Sequence, residues 1–79
     1  MVVYVAVRNR LKYWRHQLQI DSKREFASLI GVTEWSLSRW EHQKAQPSLD
    51  TLIKIYLRLK SKLPDLHLED LIDLELPHE

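Results

Sequence analysis

The sequence has no cysteine and only one glycine. Without cysteine there is no disulfide framework and no thiolate for nucleophilic or metal chemistry. A lone glycine, Gly31, excludes a glycine-rich phosphate loop and the nucleotide-binding motifs built on one. Apolar residues make up 44% of the 79, an ordinary share for a globular chain, and no apolar run approaches the roughly 20 residues that cross a bilayer. No N-terminal segment has the charged-then-apolar form of a signal peptide. The four histidines, His16, His42, His67 and His78, stand at no metal-ligand spacing, and no nucleophile and base are placed together. The expectation is a soluble, cytoplasmic chain forming one domain over residues 1–79, with no enzyme activity, cofactor, metal or membrane contact. A ligand-sensing domain needs more chain than this, so regulation is expected from expression level, dimerisation or another protein.

Charge is present but segregated. All 12 Lys and Arg lie at or before Lys62, where five carboxylates leave a balance of +7. After Lys62 come Asp65, Glu69, Asp70, Asp73, Glu75 and Glu79 with no cation, a balance of −6. A basic body suits a polyanion, from which the acidic end would be held away; two solvated faces of unequal sign are the plainer reading.

From Val2 to Val7 the chain is continuously apolar and β-branched, poor helix material and good strand material, and it ends at Arg8-Asn9-Arg10. A strand over 1–7 needs a partner for its backbone groups. Ile72, Leu74 and Leu76 alternate with Asp73 and Glu75 as a half-buried strand does, so a C-terminal strand over 73–79 is one partner. The same run in a second subunit is the other, and both can hold at once. Between them a helical body is expected over 8–72. A first helix from about Asn9 to Gln19 puts Leu11, Trp14, Arg15 and Leu18 on one face. Ser22 with Glu25 three residues on reads as a capping box opening a second helix. Phe26, Ala27, Leu29 and Ile30 then recur at helical spacing until Gly31, whose free φ allows a sharp turn. Thr33 can cap a third helix, with Leu37 and Trp40 facing back and Glu34, Trp35, Ser38 and Arg39 facing out. The small Ala27 permits the close, steep crossing that the arrangement demands. Two helices so joined make a helix-turn-helix. Pro47 ends the loop, and Ser48 caps a fourth helix whose Leu49, Leu52, Ile53, Ile55, Tyr56 and Leu59 are expected to supply much of the core. A short last helix from about His67 to Ile72 follows Pro64.

Through Phe26-Ala27, Gly31-Val32-Thr33, Leu37-Ser38-Arg39-Trp40-Glu41 and Pro47-Ser48-Leu49, the chain resembles the phage-repressor (Cro/cI-like, Xre-type) helix-turn-helix proteins, over roughly residues 8 to 72. That resemblance implies a mainly α, five-helix domain binding double-stranded operator DNA as a homodimer, with the last helix common in the dimer contact. Exposed leucines there, with Tyr56 and the strand residues, would then be interface. It also implies that Arg15, four residues after Leu11, pairs with Glu41 at the end of the reading helix as a structural salt bridge.

In such a motif the second helix enters the major groove, and its exposed N-terminal residues reach base edges. Base contacts are expected from Glu34, Trp35, Ser38 and Arg39. Arg39 can bond guanine in bidentate fashion, Glu34 can accept from a cytosine amino group, and Trp35 can pack on a thymine methyl. Against these stand plainer roles: Glu34 suits a helix N-terminus and can pair with Arg39, and Trp35 can fold into the core or an interface. Phosphate contacts are expected from Lys23, Thr33, Ser36 and Lys44. Arg8, Arg10 and Lys12 are further candidates. Two positions depart from the resembled pattern: Lys23 replaces a common glutamine, and Gln43 stands where a glycine often makes a left-handed turn, so a different loop shape is expected from His42 to Gln46. The function that follows is a sequence-specific DNA-binding transcriptional regulator on a palindrome with half-sites roughly 34 Å apart, a repressor that occupies a promoter being the favoured form and an activator that touches polymerase the other. An antitoxin, or another protein-interaction module that keeps the fold, is the alternative, and a toxin or polymerase partner stays open.

Overall fold

The computed structural model describes residues 6–75. The expectations placed on Val2–Val5 and on Leu76 to Glu79 lie outside them. In order come β1 (Ala6–Asn9), α1 (Leu11–Gln17), α2 (Lys23–Ile30), α3 (Glu34–Glu41), α4 (Leu49–Lys60), a short 3-10 helix (Leu68–Leu71) and β2 (Ile72–Glu75). β1 and β2 pair antiparallel, Ala6 opposite Glu75 and Asn9 opposite Ile72. The in-chain partner is therefore the one present among the described residues.

α2, α3 and α4 each begin where an N-cap side chain accepts a free backbone N–H. Ser22 Oγ accepts from Glu25 N, Thr33 Oγ1 from Ser36 N and Ser48 Oγ from Thr51 N, at 3.1, 3.1 and 3.3 Å. Gly31 ends α2 at φ +80°, letting the N–H groups of Gly31 and Val32 both reach the Ala27 carbonyl at 2.9 Å. The Arg58 guanidinium fills the space a Cβ on Gly31 would take, its Nε 2.8 Å from that position. Beneath the turn, Leu11, Phe26, Ala27, Ile30, Leu37, Leu52, Ile55, Leu59, Leu66 and Leu71 form one buried core. Each large member contributes roughly 1.5–3 kcal/mol of burial. Trp14 Nε1 donates to the Asp70 carbonyl at 2.7 Å and Tyr56 Oη to that of Leu66 at 3.2 Å, fastening the C-terminal segment to α1 and α4.

Several expectations need correction. Among the described residues there are four α-helices rather than five: the His67–Ile72 segment makes only a 3-10 turn, its start held by Asp70 Oδ2 accepting from His67 N at 2.9 Å. β-branched Ile72 belongs instead to β2, because pairing with Asn9 satisfies its backbone better than another short turn of helix. β1 runs beyond residue 7 to Asn9, and α1 begins at Leu11 and ends at Gln17 rather than spanning 9–19. Gln19 then turns at φ +58°. On α4, Leu49 and Ile53 are exposed rather than core, and the buried stripe is Leu52, Ile55 and Leu59.

Candidate nucleic-acid interface

α3 is held from beneath and open above. Leu37 is fully buried, Trp40 packs half-buried against the core, and Glu41 is buried on Arg15. The Arg15 guanidinium meets the carboxylate with two bonds, Nε to Oε2 and Nη2 to Oε1, both 2.9 Å, which ties α3 to α1. Nη1 donates to the carbonyls of Ile20 and Asp21 at 3.1 and 3.0 Å. The hydrogen bond that Arg15 donates to Glu41 raises the Arg15 pKa above its already high ordinary value, against the opposing effect of burial.

On the outer face Trp35 is 70% exposed, so it does not fold into the core. The Arg39 guanidinium lies over its ring, 5.0 Å from the centroid. Arg39 is thus paired one turn back with the indole, and Glu34 makes no ion pair among the described residues. Glu34 is exposed in the first turn and Ser38 is half-buried between the two faces. At the N-terminal end, Thr33 Oγ1 donates to Ser36 Oγ at 3.0 Å while accepting the Ser36 N–H. The Thr33 proton is spent inside the cap, and the Ser36 hydroxyl remains able to donate outward. At the other end Lys23, first residue of α2, places Nζ 3.5 Å from Nε2 of His42, and exposed Lys44 follows two residues after that histidine. The expected site residues therefore fall on one helix and its two flanks, with Arg15 and Glu41 underneath.

Gln43 keeps a left-handed turn at φ +58° without glycine, which corrects the expected change in loop shape. Its cost in backbone strain is offset by bonds: Gln43 Nε2 donates to the Asn9 carbonyl at 3.0 Å, and its Oε1 accepts from Gln46 Nε2 at 2.8 Å. Asn9, 5% exposed, completes the network by donating from Nδ2 to the Trp40 carbonyl and to Gln46 Oε1, both at 2.8 Å. Sequence reading missed this anchor, taking Asn9 as the start of a helix. The one available signal was an asparagine two residues before a helix, where Oδ1 can accept a local N–H, as it does from Leu11 at 3.2 Å.

A capped helix presenting an aromatic and a cation outward, joined by a glycine turn to a second helix beneath it, defines a helix-turn-helix protein of the kind that reads DNA. The helix-turn-helix family model matches residues 11–66, and the chain belongs to that family, the Cro/cI-like (Xre-type) group of DNA-binding regulators. No curated protein matches the chain.

Proposed function

We propose that the protein is a sequence-specific transcriptional repressor that binds a palindromic operator as a homodimer, with α3 in the major groove. The supporting observation is the Trp35–Arg39 pair on the exposed face of α3. Stacking on the indole leaves the N–H edge of the guanidinium free for guanine O6 and N7, and it restricts Arg39 before binding, so less side-chain freedom is lost on contact. In this reading Trp35 meets the neighbouring thymine methyl, Glu34 a cytosine amino group, and Ser38 an adjacent base edge. Lys23, Ser36 and Lys44 hold phosphates on either side, with Thr33 bracing Ser36.

Selection of bound sequences from a random DNA pool tests this. The wild type should recover a palindrome, and Arg39→Ala should relax it at one base pair per half-site, a loss of about 1–3 kcal/mol per contact. Arg39→Lys should behave like alanine at that position, because an ammonium neither forks nor stacks as a guanidinium does. Weak, sequence-blind, salt-sensitive binding by the wild type would sink this reading in favour of the protein-interaction module.

A further inference from the structure

Along α4 three large apolar side chains stand in solvent: Leu49 is 67% exposed, Ile53 38% and Leu57 60%. Spaced four residues apart, they form one straight ridge about 12 Å long, turned well away from buried Leu52, Ile55 and Leu59. The core closes without them. A contiguous apolar ridge rimmed by charge marks a contact surface.

Two features suit it to a second copy of this chain. The ridge is symmetric about Ile53, with a leucine four residues to either side. An antiparallel copy related by a two-fold axis at Ile53 would set Leu49 on the partner's Leu57 and Ile53 on its own equivalent. The flanking charges favour the same arrangement. Asp50 and Lys54 lie along one edge of the ridge, one turn apart, and neither makes a hydrogen bond or ion pair among the described residues. Antiparallel packing brings Asp50 beside the partner's Lys54 twice over, whereas parallel packing sets like charges together. The helix dipoles also oppose.

We propose that α4 pairs antiparallel with α4 of a second copy through Leu49, Ile53 and Leu57, and that the two Asp50–Lys54 pairs fix its register. The proposal rests on the homodimer reading above and gives that dimer its contact. One helix pair buries less than a standard interface of about 1,600 Å². The free dimer is accordingly weak and needs high protein concentration or DNA to form fully.

Sedimentation velocity of the full chain without DNA, at concentrations up to the millimolar range, tests it. The wild type should show a monomer–dimer equilibrium, and Ile53→Asp should raise the dissociation constant on the order of a hundredfold. Asp50→Lys and Lys54→Asp should each weaken the dimer by about three- to tenfold, and the doubly exchanged variant should recover it, since each cation would again face an anion. Circular dichroism melts establish that each variant is folded. A wild-type dimer unchanged by Ile53→Asp but broken by Leu74→Asp would place the contact on the exposed Val7–Leu74 strand pair, overturning the α4 contact and leaving the homodimer reading intact. Failure of the double exchange to recover affinity would overturn the antiparallel geometry. A wild type monomeric at every concentration and on DNA would overturn the homodimer reading itself.

Discussion

Arg15 and Glu41 carry the largest electrostatic stake of any residue pair among those described, because their side chains are only 7% and 1% exposed. Taking two ions out of water costs several kcal/mol each, and their mutual bonds offset this only while both are present. Glu41→Ala would leave the guanidinium buried and unpaired, and should cost about 3–5 kcal/mol, a large share of the 5–15 kcal/mol typical of a whole domain. Arg15→Met combined with Glu41→Leu should recover most of that loss, short of the Ile20 and Asp21 carbonyls that Nη1 leaves behind. Urea denaturation of the wild type and the two variants is the measurement. A double variant as unstable as Glu41→Ala would mean that the pair itself, not the orphaned charge, supplies the stability. The pH dependence follows from the sign of the Arg15 shift. A cation whose pKa is raised on folding contributes fully below its unfolded value, and the contribution is lost only as pH rises through the still higher folded value. Between about pH 5 and 9, stability should therefore not fall through deprotonation of Arg15.

At the scale of elements, Asn9 links β1 to the loop that follows α3, and Gln43 and Gln46 are its intermediaries. Replacing Asn9 by leucine removes the Nδ2 bonds to the Trp40 carbonyl and to Gln46 Oε1 and the acceptor of the Leu11 N–H, while the backbone bonds of position 9 to Gln43 and Gln46 remain, and should cost about 2–3 kcal/mol. Gln43→Gly should stay within about 1 kcal/mol of wild type, because relief of the positive φ compensates for the lost side-chain bonds. Thermal melts of the two variants distinguish a network held by Asn9 from one in which the backbone turn suffices. The contrast shows what can be read before a structure is known. Ser22, Thr33, Ser48 and Gly31 act within four residues of their own positions, so the two motif helices and their turn were legible locally. The candidate reading face, Glu34, Trp35, Ser38 and Arg39, followed from helical periodicity once the cap at Thr33 was recognised. Asn9 to Gln46 spans 37 positions, and no local rule pairs an asparagine with a particular distant glutamine. The failure at Ile72 was a competition: helix spacing and strand alternation overlapped there, and the availability of Asn9 as partner decided for the strand. On α4 the periodicity fitted a stripe wider than the core it faces, which left Leu49 and Ile53 outside.

For the whole molecule, a net charge of +1 gives little long-range attraction to DNA. Affinity on the proposed reading must then come from cations placed locally around α3, within the span of a Debye length of about 8 Å at physiological salt. Each lysine on a phosphate releases counterions and adds about 0.9 to the slope of log affinity against log salt. The effect of removing one lysine therefore counts the protein copies on the site. Lys44→Ala should lower the slope by about 0.9 if a single copy binds, and by about 1.8 if two symmetric copies do. Anisotropy titrations of the selected operator at several salt concentrations measure it. Sequence preference should survive the substitution, since a phosphate contact positions the protein without distinguishing bases. The same titrations on Ile53→Asp separate the two halves of the argument. If α4 joins the copies, that variant should bind the operator stepwise, each half-site retaining its own slope, because the residues that meet phosphate are untouched while the link between copies is gone. An unchanged slope for Lys44→Ala would remove Lys44 from the phosphate contacts whatever the number of copies.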